Sequence, residues 1–349
     1  MRQQRWDSTP IARRAIQTGT QIWTLSYEFR TVNCKLNIVN YKPNPCVATI
    51  GTFDGVHRGH RNLLQQVRSI ADERGLTALA VTFDTPPRTV LNGETNRLAS
   101  LATPTERIAL LHQAGMDQVV PLPFTSAMAQ LTAREFMQQI LLAELNVAVL
   151  VVGYDHRFGC GRTEGFAHYV RYGNELGIEV VRGEVCEVGG EPVSSTRIRH
   201  NIAQGRVAEA AHLLGYRYAI EGSVVGGYGI GHKIGFPTAN IQPSYDSKLL
   251  PADGVYAVKV CLGYENEEPT HEPYFKGTGM LNIGHRPTVN NGEDRSIEVH
   301  ILDFEGDLYG RSLRLEFVER LRDEQSFGSI DSLIAQLNAD RERVKAMDY

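Results

Sequence analysis

The stretch Cys46-Val-Ala-Thr-Ile-Gly-Thr-Phe-Asp-Gly-Val-His-Arg-Gly-His60 passes from an apolar run into a glycine-punctuated loop. From Arg58 to Arg74 the chain then carries Leu63, Leu64, Val67, Ile70 and Ala71 at helical spacing. This is a strand, a loop and a helix. The alternation continues, with strands expected over 76–83, 118–122, 147–153 and 178–182 and helices over 105–114 and 132–145. Strands separated by helices of ten or more residues imply a parallel sheet, because parallel neighbours need crossover connections. Ligands of such sheets bind at the carboxyl ends of the strands, which is where His57 and His60 fall.

After about residue 190 the rhythm changes. Two short helices are expected over 195–204 and 207–214, then strands over 218–225, 254–262, 274–283, 296–304 and 313–321, and a closing amphipathic helix over 329–347. Strands divided by Gly, Asn, Asp and Pro clusters predict an antiparallel barrel or sandwich. The expected organisation is therefore a basic extension over 1–45, an α/β domain over 46–204, a linker over 205–216 and a β-rich domain over 217–349.

A length of 349 residues fits about two domains. With 22% charged and 42% hydrophobic residues, the chain has the composition of a soluble globular protein. Its net charge of -4 lacks the footprint of a protein that grips a nucleic-acid backbone. The longest purely apolar run, 147–152, is far short of the ~20 residues of a membrane helix. Five cysteines, an odd number with no C-x-x-C pair and no zinc spacing, point to the reducing cytoplasm. The first 50 residues hold Arg2, Arg5, Arg13, Arg14, Arg30, Lys35 and Lys42 against Asp7 and Glu28, a net of +5 that leaves -9 for the rest. An unstructured extension or an early start is the plainer reading of that segment, and an organelle transit peptide the other.

Three glycines in the first loop let backbone approach a ligand, and the N–H groups of a helix start suit phosphate. His57 and His60, three apart, share one helix face and can donate to phosphate oxygens as charge builds in a transition state. A metal reading lacks a third ligand nearby and the glutamate of a zincin. A second block, Val152-Gly-Tyr-Asp-His-Arg-Phe-Gly-Cys-Gly-Arg-Thr-Glu-Gly165, follows an apolar strand onto the same sheet edge, with Arg157 and Arg162 as candidate anion contacts. A third, Ser194-Ser-Thr-Arg-Ile-Arg199, opens a helix. Capping accounts for one of its hydroxyls. In the β-rich half, Gly226-Gly-Tyr-Gly-Ile-Gly231 is explained by a turn alone, and Glu298 taken singly is a solvated strand carboxylate.

Together these blocks resemble one family. The run G-T-F-D-G-V-H-R-G-H is similar to the signature of H-x-G-H nucleotidylyltransferases, specifically the flavin adenylyltransferase half of prokaryotic bifunctional riboflavin kinase/FAD synthetases. The second and third blocks match in order. Gly235-Phe-Pro-Thr-Ala-Asn-Ile241 resembles the riboflavin kinase signature, and the likeness continues through 281–288, 297–304, 307–310 and 317–327, so it covers nearly everything beyond the extension. The resemblance implies a Rossmann-like domain and a riboflavin kinase barrel that convert riboflavin to FMN and FMN to FAD, with ATP as co-substrate and Mg2+ as cofactor.

It also implies roles for single residues. His57 and His60 would be catalytic in adenylyl transfer, and Glu298 the base for the riboflavin 5'-hydroxyl. ATP would meet Gly51, Phe53, Asp54, Gly55, Gly153, Arg162, Ser194, Ser195, Thr196 and Arg199 in the first half. In the second half it would meet Gly229, Gly231, Lys233 and Thr238. Flavin would contact Asp155 and Phe158, and magnesium Thr238 and Asn240. Two departures stand out. Thr82-Phe-Asp-Thr-Pro-Pro87 lacks the histidine of the family's T-F-x-P-H-P, and Ile230 and His232 stand where basic residues are usual, with Lys233 as the substitute cation and His232 a pH-sensitive group. Two alternatives stay open: an adenylyltransferase with an inactive flavin-binding kinase-like domain, and an H-x-G-H transferase for another phosphate ester.

Overall fold

The computed structural model describes residues 44–85, 99–227, 230–262, 275–285 and 295–347. The basic extension therefore lies almost wholly outside the described residues, as do Gly229 and the end of the Thr82–Pro87 segment.

The first half is a five-stranded parallel sheet in the order β3-β2-β1-β4-β5. Its strands are β1 (Cys46–Ile50), β2 (Thr77–Phe83), β3 (Gln118–Leu122), β4 (Val147–Val152) and β5 (Glu179–Arg182). All of β1 is buried and β2 nearly so, as expected of strands covered on both faces. Helix α1 (Arg58–Arg74) turns Leu63, Leu64, Val67 and Ala71 inward and stops where Gly75 takes the left-handed conformation at φ 63°. Helix α2 (Pro104–Gln113) starts with a reciprocal cap between Thr103 and Glu106. The helix expected over 132–145 begins as α3 (Ala133–Phe136) and widens into a π-helical turn over Met137–Leu142.

Sequence reading missed α4 (Phe166–Leu176), whose aromatic residues and Gly173 obscure the helical pattern. That glycine is a packing device: a Cβ there would lie 2.3 Å from the Ile178 carbonyl oxygen, so the helix can press onto β5 only without one. After the hairpin β6 (Glu187–Val188) and β7 (Glu191–Pro192) come α5 (Ser195–Ala203) and α6 (Val207–Leu214). Most of the segment expected to link the domains is α6.

The second half is a closed antiparallel barrel in the order β10-β11-β12-β9-β8-β13. Its strands are β8 (Ala219–Val225), β9 (Ala239–Pro243), β10 (Gly254–Leu262), β11 (Phe275–His285), β12 (Arg295–Ile301) and β13 (Ser312–Arg322). The barrel interior and the two connecting helices share one apolar cluster, in which Ile198, Ile202, Leu213 and Leu214 meet Tyr256, Val258, Ile297, Val299 and Phe317. The last helix, α7 (Ile330–Lys345), covers the outer face at Phe236, Val255, Ala257 and Met280, and a buried Arg322–Asp340 pair fixes it at 2.9 Å.

Candidate active sites

In the sheet order β1 stands between β2 and β4, and the connections depart in opposite directions on its two sides, leaving a crevice at the carboxyl ends. The loop 51–57 fills that edge. Phe53 (φ 45°) and Val56 (φ 34°) are held in the left-handed region, which a β-branched residue rarely visits. Such strain persists only where surroundings over-determine it. Here they do: both side chains are buried, and neighbours hold the loop polar groups one by one. Arg107 donates to Thr52 O at 3.2 Å and to Phe83 O at 2.6 Å, Arg61 to Val56 O at 3.2 Å, and the Tyr216 hydroxyl to Gly55 O at 2.6 Å.

Asp54 anchors the loop. Its carboxylate accepts the N–H groups of Leu101 and Ala102 at 3.0 and 3.1 Å and an Arg199 guanidinium N–H at 2.5 Å. Arg199 also donates to Ala99 O at 3.1 Å, and the Ser195 hydroxyl donates to Asp54 O at 3.0 Å. The third sequence block is thus tied to the first. A Cβ on Gly59 would lie 3.2 Å from the His57 ring and 3.3 Å from Val193 O, so glycine eases the close approach of the start of α1 to the segment that leads into α5. Neither helix has an acidic residue in its first turn, which leaves two positive dipole ends for an anion.

His57 caps α1: its Nδ1 accepts the His60 N–H at 3.3 Å. That bond assigns the proton of the neutral ring to Nε2. The two imidazoles stack with centroids 3.6 Å apart. Burial, then the charge of Arg199, lowers His57 to about 4. Burial and the neighbouring His57 and His156 hold His60 well below its ordinary value. Both rings are neutral donors at pH 7.

The other predicted residues divide. Ser194 is spent as the α5 cap, accepting the Arg197 N–H at 3.3 Å, while Thr196 is exposed. Gly153 follows Val152 at the head of the second block, in which Asp155 and Arg162 are exposed. Phe158 is half-buried and stacks on Tyr169 at 4.3 Å, so one face belongs to the core. The sequence reading missed Arg107 and Tyr216 because each holds the loop through contacts distant in the chain.

A second cluster lies on the barrel's outer face. The register sets Asn240 of β9 opposite Glu298 of β12, and Asn282 of β11 on the other side of Glu298. Thr238 donates from its hydroxyl to the Glu298 carboxylate at 3.3 Å. A Cβ on Gly227 would fall 2.0 Å from the Asn240 amide, so the glycine segment lies directly on that side chain. Gly231 approaches Phe236 O as closely, while His232 and Lys233 are exposed. Hydroxyl, carboxamide and carboxylate oxygens together form a hard donor set that fits magnesium.

The sheet order, the strained loop and the paired imidazoles define the first half as an α/β fold of the nucleotidyltransferase kind, in which the starts of α1 and α5 meet at the loop 51–57. Residues 39–197 match the family model FAD synthetase, and residues 214–347 the family model riboflavin kinase. The bifunctional riboflavin kinase/FMN adenylyltransferase of Escherichia coli K12 is 39% identical over 84% of this chain and 90% of its own length. The Pseudomonas fluorescens protein of that name is 37% identical over 86% and 93%. This chain belongs to the bifunctional riboflavin kinase/FMN adenylyltransferase family. A crystal structure of a Streptococcus pneumoniae protein named for macrolide efflux shares the fold, with a TM-score of 0.79 and 32% identity over 88% of this chain and 96% of that one. Among the described residues here, no helix is long and apolar enough to cross a membrane.

Proposed function

We propose that the chain makes FAD from riboflavin in two steps, one in each half. The barrel passes the γ-phosphoryl group of ATP to the riboflavin 5'-hydroxyl, giving FMN and ADP. The α/β half passes the adenylyl group of a second ATP to FMN, giving FAD and pyrophosphate. The observation that carries this reading is that one chain holds both a stacked His57–His60 pair at a helix start and a Glu298–Thr238–Asn240 oxygen cluster.

In the first step the 5'-oxygen attacks the γ-phosphorus, its proton passes to Glu298, and the electron pair of the broken bond leaves with ADP. Thr238 and Asn240 would hold magnesium, which neutralises charge on the phosphates. Gly231 and Lys233, with Gly229 outside the described residues, would line the same ATP. In the second step an FMN phosphate oxygen attacks the α-phosphorus, and the pair of the breaking bond leaves with pyrophosphate. His57, His60 and the N–H groups at the start of α1 stabilise the charge that develops.

The backbone of Gly51, Phe53 and Gly55, Gly153 with Arg162, and the α5 start at Ser194, Ser195 and Thr196 would cradle that second ATP. Asp54 and Arg199 serve it by locking the loop to α5. Asp155 and the accessible part of the half-buried Phe158 would meet the flavin. The domains run over 46–204 and 217–349, joined through 205–216, and the free thiols of Cys46, Cys160, Cys186 and Cys261 support a cytoplasmic setting.

Incubation with riboflavin, ATP and magnesium, followed by separation of the flavins, tests both halves. His60→Ala should stop at FMN. Glu298→Gln should make FAD only from supplied FMN. Loss of FMN as well as FAD in His60→Ala, or failure of Glu298→Gln to make FAD from supplied FMN, defeats the assignment of separate sites.

A further inference from the structure

We propose that His156 is a third imidazole of the adenylyl-transfer site, donating a hydrogen bond from its ring to the phosphate chain of bound ATP. This rests on reading the α/β half as the adenylyltransferase. His156 ends the turn that follows β4 on the sheet's carboxyl edge, its N–H donating to Gly153 O at 3.1 Å. Its Nε2 is buried and has no hydrogen-bond partner, and the same holds for Nδ1 of His60. Buried side-chain nitrogens without a partner are rare in folded proteins and call for a reason. These two belong to rings close enough for charge on one to oppose charge on the other.

The surroundings select the missing partner. Arg162 opposes a proton on His156 and Asp155 favours one, and the exposed Arg162 guanidinium stands close enough to the ring to help draw an anion there. Among the described residues no group of three or more His, Cys, Asp or Glu side chains is placed to hold a metal. An acceptor oxygen is what an orphan imidazole N–H lacks, and a phosphate supplies several. The Phe158 ring, inclined by 30° with its centroid 6.1 Å away, flanks the imidazole. His156 makes and breaks no bond. It holds the phosphates while the FMN oxygen bonds to the α-phosphorus and pyrophosphate departs.

The test compares His156→Phe and His156→Gln in the full chain. With FMN saturating, kcat/KM for ATP in FAD formation should fall roughly 10- to 100-fold in the Phe variant, the range for a hydrogen bond to a charged group. Glutamine, which keeps an N–H donor, should recover most of that loss, and FMN formation from riboflavin should be unchanged in both. Because Phe removes an unpartnered buried nitrogen, the melting temperature should rise by about 2 °C while activity falls. Unchanged FAD formation in the Phe variant, no recovery with Gln, or a melting temperature that falls with the activity would each overturn the proposal. His60→Ala separates the two levels: if it too leaves FAD formation intact, the site reading itself has failed.

Discussion

Replacing Asp54 with alanine removes the anchor of the strained loop, and its cost follows from the contacts. Two buried N–H groups, on Leu101 and Ala102, lose their acceptor, at ~1–3 kcal/mol each. Arg199 loses its ion-pair partner, but its side chain is 25% exposed and still reaches Ala99 O, so solvent limits that loss to ~1 kcal/mol. Release of left-handed strain at Phe53 and Val56 returns ~1–3 kcal/mol each if the loop rearranges. A loop that keeps its shape therefore leaves the fold about 3–7 kcal/mol less stable, whereas one that relaxes recovers stability and abandons the geometry around His57. Either way FAD formation should fall by about 100-fold or more, because misplacement near 1 Å costs that much. Kinase activity of the same preparation, in the barrel, serves as control. Asp54→Asn keeps one acceptor oxygen and should lie between. Flavin separation measures activity and thermal unfolding measures stability. FAD formation within about threefold of the parent in Asp54→Ala, with an unaltered melting temperature, would refute the view that this carboxylate holds the loop.

Other consequences are more local. Gly159→Ala places a Cβ 2.5 Å from Ala133 N at φ 88° and should cost more than ~2 kcal/mol, whereas Gly75→Ala, at φ 63° with nothing within 4 Å, should cost only ~1 kcal/mol; urea midpoints compare them. Burial holds both His57 and His156 at about 4, against 6.5 for a free imidazole. Above pH 6.5 both are neutral whether folded or unfolded; as pH falls from 6.5 to 4 only the unfolded chain takes up their protons, so stability is lost across that window by about 1–2 kcal/mol per ring at pH 5. Unfolding midpoints at pH 7.5 and 5 measure the loss, which should shrink in His156→Phe. Lys248→Met breaks a buried pair with Glu106 that ties α2 to the barrel, leaving Arg314 at 3.7 Å, and should lower stability by about 2–4 kcal/mol in the same assay.

Much of this architecture was legible beforehand. The strands 118–122 and 254–262 and the helices 58–74 and 207–214 fall where apolar period and glycine stops put them, because one-sided burial imposes a period that a single sequence displays. Helix α4 was not legible, since its stripe is built from Tyr169, Tyr172 and a glycine whose value lies in what it lets approach. Nor was the widening of 137–142 into a π-helical turn.

The residue types of both sites were equally visible, since glycine, histidine, hydroxyl and carboxylate side chains are chemically distinct wherever they stand. Their partners were not. Asp54 and Arg199 read as two ATP contacts, and folding joins them across 145 residues into one internal lock. Glu298 taken singly read as a solvated strand carboxylate and through the resemblance as a base, and only barrel closure, which sets β9 beside β12, brings Thr238 and Asn240 to it. His156 carried no signal, because a nitrogen without a partner is a property of its surroundings. Sequence alone determined which chemistry the chain could carry, through local period and side-chain type. Tertiary structure decided which groups share a site, because the contacts that neutralise, strain or orphan a side chain come from distant segments that only the packed core brings together.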